Sequence, residues 1–235
     1  MRRKGTGAVG PGARDHAGGG KAVKYRGTAG YPARKDAKTG KTNADIVFVA
    51  DTKLGTETGK VDPAKRVLMF SFNGGPGSAS LWLHRGALGP KRVVTKANGD
   101  SLPPPDESAE NDYAWLDETD LGLLEPGSTV YSRAATGEAP KQFYGFNEEV
   151  ASVGDFIRLS TMRNRRWSSL KFLVGESDGT PRAAALSDDL QDRDGLYLNG
   201  MVLVCSIMNF ATARCTQGND LACPLARPTY PAGAW

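Results

Sequence analysis

The chain has 235 residues, with 30 Lys and Arg against 26 Asp and Glu, and 39% hydrophobic and 24% charged residues. That composition belongs to an ordinary globular domain with enough length to bury a sizeable core, and it excludes collagen, coiled coil and wholesale disorder. No stretch of about 18 apolar residues occurs, so no membrane-spanning helix is expected.

Charge is unevenly spread. Residues 1–41 hold 11 Lys and Arg against 2 Asp and Glu, while the remainder holds 19 against 24. Residues 1–24, with seven glycines in the first twenty, read as a disordered basic leader. A basic leader can hold phosphate non-specifically, but its only nearby rings are Tyr25 and Tyr31, too few for a nucleic-acid platform, so no specific nucleic-acid partner is expected. The start Met1-Arg2-Arg3-Lys4 has a signal-like charge, yet no apolar segment follows it, so no export signal is expected. Tyr25 to about Lys41 reads as extended or loop, Ala44–Asp51 as a strand, Lys53–Lys65 as a turn and Arg66–Phe72 as a second strand. The second strand runs into Asn73-Gly74-Gly75-Pro76-Gly77, too rich in glycine for helix or strand.

Beyond that loop, Ser78–His84 suggests a helical turn and Lys96–Asp112 a long polar loop. Leu121–Leu124 and Ser128–Ser132 suggest a strand broken by Pro126-Gly127. Apolar residues at Val150, Val153, Phe156, Ile157 and Leu159 predict a helix over Phe146–Arg163. Lys171–Val174 predicts a strand, Thr180–Gln191 a helix stopped at Gly195, and Leu196–Phe210 an apolar strand in which Cys205 reads as core. Strands alternating with helices predict an α/β sheet protein, mostly parallel with flanking helices. Cys205, Cys215 and Cys223 form no Cys-x-x-Cys pair, and only His16 and His84 could add nitrogen ligands, so neither a zinc site nor a disulfide framework is expected. No other cofactor motif is present.

Gly175-Glu176-Ser177-Asp178-Gly179 fits G-x-S-x-G between a predicted strand and a predicted helix, the context of a nucleophile elbow. Such a turn lifts the serine oxygen above the sheet edge and aims the amides of the next helix at the reacting oxygen. The same pentapeptide also suits a plain strand–turn–helix connection that happens to hold a serine. A serine nucleophile needs an oxyanion hole, with one N–H from the residue after it, here Asp178, and a second from a glycine-rich loop such as Asn73–Gly77. That loop in turn could be no more than a tight turn.

Taken together, the blocks resemble the serine carboxypeptidase family. Phe70-Ser71-Phe72-Asn73-Gly74-Gly75-Pro76-Gly77-Ser78 is similar to that family's NGGPG block, and Leu88-Gly89-Pro90 to its L-G-P. Asn111 with Trp115-Leu116-Asp117, Tyr131-Ser132 and Gly175-Glu176-Ser177 resemble later family segments in the same order. Asn219-Asp220-Leu221 and Pro228-Thr229-Tyr230 look like landmarks of bacterial members. The resemblance spans about residues 25–235 and implies the N-terminal portion of an α/β-hydrolase that releases C-terminal residues from peptides. It implies Ser177 as nucleophile, the N–H groups of Gly75 and Asp178 as oxyanion hole, and Asn73, Gly74 and Glu176 as the site for the substrate's terminal carboxylate. Glu176 would then have to carry a proton to donate to that carboxylate. Relatives commonly act outside the cell or in acidic compartments.

Departures from the pattern accompany the resemblance. Both histidines precede Ser177, so the expected order of Ser, Asp and then His is incomplete, and truncation is the simplest expectation. Asp188, Asp189, Asp192, Asp194 and Asp220 follow Ser177, but the first four fall on or beside the elbow helix, and the family's acid comes much later in sequence. Asp178 stands where the family has Tyr, Ala87 where eukaryotic members have a second Glu, and Glu125–Ser132 scrambles the glycine pattern of its segment. An acyltransferase or esterase using Ser177, a non-catalytic binding protein, and nucleic-acid binding through the leader are the alternatives.

Overall fold

The computed structural model describes residues 9–18, 21–35, 40–55, 61–75, 77–127, 129–143, 145–213, 216–222 and 224. Its strands are β1 (Val9–Gly18), β2 (Lys21–Gly30), β3 (Ala33–Lys35), β4 (Thr42–Asp45), β5 (Phe48–Lys53) and β6 (Val67–Phe72), then β7 (Lys91–Val93), β8 (Ser108–Glu110), β9 (Thr119–Leu124), β10 (Arg133–Ala134), β11 (Lys171–Glu176) and β12 (Gly200–Val204). Its α-helices are α1 (Leu81–Leu83), which continues as a π-helical turn His84–Leu88, then α2 (Phe146–Arg163), α3 (Gly179–Asp194) and α4 (Phe210–Ala213).

The main sheet has the order β1-β2-β5-β9-β6-β11-β12. β9, β6, β11 and β12 pair in parallel, while β5 is antiparallel to both β9 and β2. Most strands of the sheet therefore run one way. This is the mostly parallel, helix-flanked α/β sheet that the strand–helix alternation predicts. β9 is buried along its whole length, as a strand covered on both faces must be. On one face Leu68, Phe70, Phe72 and Leu173 pack under α2 and α3 through Val153, Ile157, Leu186 and Leu190. On the other, Met69, Leu121 and Val174 meet Leu83 and Leu88. Chain order reverses at β6, because the connection from β6 goes to β9 on one side and β11 lies on the other. The carboxyl ends of β6 and β11 flank that switch point, where open α/β sheets form their crevice.

Several elements differ from the sequence reading. The leader read as disordered through residue 24 contains β1 and the start of β2. Val9–Gly18 pairs with β2 in an antiparallel hairpin, a ladder of backbone hydrogen bonds that small residues do not prevent. Residues 1–8 lie outside the described residues. Ala44–Asp51 is two strands rather than one: Ile46 N–H donates to Pro32 O, and the chain leaves the small β10-β4-β3 sheet for the main one. The long loop 96–112 contains β8. Residues 129–132 form turns and not a strand, with Val130 at a φ of 47°. Gly195, at φ 61°, caps α3 in the left-handed conformation as expected of a stop.

Cys205 is exposed, contrary to the core reading. Among the described residues β12 is the last strand of its sheet, so an apolar run there has one strand neighbour and its end opens to solvent. Cys215, Cys223 and Pro228-Thr229-Tyr230 lie outside the described residues. No helix is long and apolar enough to cross a membrane among the described residues.

Candidate active site

β6 delivers Asn73 to the crevice with all of its polar groups engaged. Its N–H donates to Ser80 Oγ at 3.1 Å, its Oδ1 accepts from Leu83 N–H at 3.0 Å, and its carbonyl accepts from Arg182 Nη1 at 3.0 Å. Its Nδ2 donates to Glu176 Oε2 at 2.9 Å, and Gly74 N–H points at the same oxygen from 3.5 Å. Two donors 102 and 103 residues away in sequence thus converge on one carboxylate oxygen of the residue before Ser177.

The glycine-rich loop can lie this close only because Gly74 lacks a side chain. A Cβ there would sit 2.4 Å from Asp178 N and 2.7 Å from Glu176 O. The elbow is equally tight: a Cβ on Gly175 would fall 2.2 Å from Gly179 O. The strand is therefore pressed against the first turn of α3, and Ser177 takes up the bend at a φ of 54°. A left-handed conformation at a residue other than glycine is strained, and such strain concentrates at functional sites. Ser177 N–H donates to Val204 O at 2.8 Å, which ties the turn to β12. Ser177 O accepts from Thr180 N–H at 3.0 Å and from Thr180 Oγ1 at 2.7 Å. The Ser177 side chain is half-buried at the mouth of the crevice.

Gly75 is exposed on the lip of the loop, and Asp178 stands at the N-cap position of α3 without a side-chain capping bond. Among the described residues neither backbone N–H donates to another group. The structure thus brings Asn73, Gly74, Glu176 and Asp178 together around the elbow that carries Ser177, with Gly75 beside them. Pro76 of the loop lies outside the described residues.

Arg182 is the residue that sequence reasoning missed. It is fully buried, stacks its guanidinium over Phe72 at 5.4 Å, and donates to Asn73 O and to Glu149 Oε2 at 2.9 Å. Its Nη2 also lies 3.9 Å from Asp178 Oδ2. The negative charge that Asp178 brings to the elbow therefore faces a buried cation. Burial pushes the Glu149 carboxyl above its ordinary range, and the Arg182 guanidinium opposes that rise. A signal existed in the sequence. An arginine in the first turn of a helix opposes the helix dipole, so it needs another reason to be there.

Behind the loop, Ser80 links it to the end of β9. Ser80 N–H donates to Glu125 Oε2 at 3.1 Å, and its hydroxyl donates to Leu124 O. Glu125 is buried, and desolvation holds its carboxyl above the ordinary range despite bonds from the Ser80 and Leu81 amides.

His84 does not serve Ser177 here. Its Nε2 is hydrogen-bonded to Asp51 Oδ2 at 2.5 Å, with both side chains largely buried, so it ties the π-helical turn to β5. Asp188, Asp189, Asp192 and Asp194 all lie on α3, and Asp189 and Asp194 pair with Arg193. No cluster of three or more His, Cys, Asp or Glu able to hold a metal occurs among the described residues.

No family model matches the chain, and no curated protein matches it. Among solved structures, a peroxisomal alpha-beta-hydrolase from Saccharomyces cerevisiae superposes with a TM-score of 0.43 at 12% identity, over 77% of this chain and 43% of that one. An esterase superposes with a TM-score of 0.38 at 14% identity, over 74% and 42%. A Legionella pneumophila protein described as a hydrolase gives 0.42 at 10% identity, over 86% and 46%. The chain spans less than half the length of each of these structures.

Proposed function

We propose that this chain carries the nucleophile and the substrate-carboxylate site of a serine carboxypeptidase acting on peptides. The observation that carries the reading is the convergence of Asn73 Nδ2 and Gly74 N–H on Glu176 Oε2, directly before Ser177 at its strained φ. A serine elbow alone would suit any acyl transfer. Paired donors beside a carboxyl group suit a substrate that itself ends in a carboxylate, because they supply hydrogen bonds to the anion next to the scissile bond.

In this mechanism Ser177 Oγ attacks the last peptide carbonyl, and the N–H groups of Gly75 and Asp178 receive the developing oxyanion. Asn73 and Gly74 hold the terminal carboxylate, with Glu176 donating to it when protonated. Arg182 offsets the Asp178 charge, which would otherwise oppose the oxyanion. The peptide C–N bond breaks and the C-terminal amino acid departs with the proton lost by the serine hydroxyl, after which water takes the acyl group from Ser177 Oγ. Neither histidine of the chain stands ready as general base, since His84 is bonded to Asp51 and His16 lies on β1.

The test is fluorophosphonate labelling of the protein in its native source, followed by peptide mapping. Label on Ser177, with loss on Ser177→Ala, is the expected result; label retained in the Ala variant overturns the assignment. The 235-residue chain alone is expected to release no C-terminal residue from a blocked dipeptide, because a serine without its base is a poor nucleophile. Turnover of simple esters without any turnover of peptides by the native protein would move the reading to an esterase.

A further inference from the structure

A cavity of about 360 Å³ lies far from Ser177, on the α2 face of the sheet towards the opposite ends of the parallel strands. Its volume falls in the range of small-molecule sites. The sequence makes the floor hollow. Ala50 of β5 and Gly122 of β9 sit opposite each other in register and contribute almost no side-chain volume. The Phe70 ring lies over Gly122, where an added Cβ would meet it at 3.0 Å, so the open floor is that over Ala50, and Phe48 and Phe156 close the inner wall with ring centroids 5.5 Å apart.

The polar groups around this apolar space are unbalanced. Four arginines line it (Arg26, Arg34, Arg163 and Arg166) against two aspartates (Asp120 and Asp155). Arg34 pairs with Asp155 at 3.1 Å and Arg166 with Asp120 at 2.6 Å. Arg26 and Arg163 are exposed and have no carboxylate partner among the described residues. In the α2 wall, Ser152 Oγ is fully buried and has no hydrogen-bond partner among the described residues. A buried hydroxyl without a partner is uncommon and calls for one.

We infer that this cavity binds an amphiphilic carboxylate, an unbranched alkyl chain ending in a monoanion. The chain occupies the space over Ala50, against the rings of Phe48, Phe70 and Phe156. The carboxylate sits at the mouth and takes the charge of Arg26 and Arg163. Two unpaired guanidiniums select against a cationic head group, and the apolar walls select against a short polar anion. No bond is made or broken. The inference stands apart from the Ser177 chemistry, since its residues and those around Ser177 are different.

Isothermal titration of the whole 235-residue chain with dodecanoate, below the concentration at which it forms micelles, tests it. One saturable site is expected, with no saturable binding of dodecyltrimethylammonium or acetate. Ala50→Trp, which fills the floor, abolishes the site. If that variant does not fold, as judged by circular dichroism, Ser160→Trp from the α2 wall replaces it. Arg26→Ser with Arg163→Ser weakens dodecanoate about tenfold while leaving the fold intact. Absence of saturable binding overturns the inference. So does binding unchanged by the tryptophan variants, which would put the alkyl chain elsewhere on the exposed apolar surface. Equal affinity for the cationic amphiphile overturns the assigned charge.

Discussion

The two ends of the parallel sheet solve opposite problems. At the carboxyl end, around Asn73 and Ser177, backbone is brought against backbone, and polar groups are left facing the crevice. At the amino end, charge is buried and then fully matched. Asp120, 2% exposed, accepts from Arg66 Nε at 2.9 Å, Arg166 Nη1 at 2.6 Å and Lys53 N–H at 3.0 Å. Arg166 also donates to Ser169 Oγ and to Arg66 O. One end is shaped by missing side chains and the other by large ones. Among the described residues, the backbone N–H groups of Gly75 and Asp178 stay unpaired at the crevice, whereas the buried charge of Asp120 is matched at the amino end.

The strongest way to break the amino end is to remove its central charge. Asp120→Ala leaves two guanidiniums facing each other with no anion between them, and a buried pair broken in this way costs about 3–5 kcal/mol. Urea unfolding should show that loss at neutral pH. A loss under about 1 kcal/mol would mean that water already reaches the cluster and that the contrast between the two ends is overstated.

The carboxyl end should break through one methyl group. In Gly175→Ala the added Cβ falls 2.2 Å from Gly179 O, a backbone atom that cannot swing aside. We expect about 3 kcal/mol of destabilisation, at the upper side of what overpacking usually costs. The control is Gly137→Ala, where a Cβ meets nothing within 4 Å and the cost comes only from its φ of 90°. Because Gly175 itself holds no positive φ, a loss no larger than that at Gly137 would show that the first turn of α3 gives way and that close approach does not govern the elbow.

How much of this was legible depends on the range of the interaction. α2 was legible to the residue, since a helix writes its period into 18 consecutive positions. The elbow and the loop were legible because local backbone geometry dictates glycine nearby in sequence. Asn73 and Glu176 were paired only through resemblance to a family, as nothing in composition links residues 103 apart. The His84–Asp51 pair, 33 residues apart, and the Arg182 contacts to Asn73 and Glu149 left no periodic trace. Cys205 misled because an apolar run does not say whether its strand is central or at the edge. The β1–β2 hairpin was missed because its stability rests on backbone pairing, to which composition is blind.

A subtler comparison sets strained residues against relaxed ones. Ser177 and Val130 both hold left-handed φ values, 54° and 47°, that glycine adopts freely. Val130→Gly should therefore stabilise by about 1 kcal/mol, the relief of strain outweighing the entropy glycine loses on folding. Ser177→Gly should gain a similar amount while removing the hydroxyl. A gain at Val130 with a loss at Ser177 would mean that the serine side chain itself supports the elbow, contrary to a site held in strain for its chemistry.

The smallest effect concerns two buried carboxylates at opposite ends of β9. Asp120 is met by cations, whereas among the described residues Glu125, just past the strand's last residue, is met by the amides of Ser80 and Leu81. Burial therefore dominates at Glu125 and raises its carboxyl above the ordinary value of 4.5. The folded state then keeps a proton that the unfolded chain has already released, so stability is greatest below 4.5 and declines as pH rises through the raised value. Glu125→Gln keeps an acceptor for the Ser80 N–H but has no charge to bury. Its urea midpoint should fall less steeply than that of the unmodified protein between pH 4.5 and about pH 7. Part of the slope should remain, because Glu149 and Asp189 are also raised by burial and are untouched by the substitution. Parallel curves for the two proteins would mean that the amides of the loop stabilise the Glu125 charge as fully as the arginines stabilise Asp120, and the two ends of β9 would then differ in geometry alone.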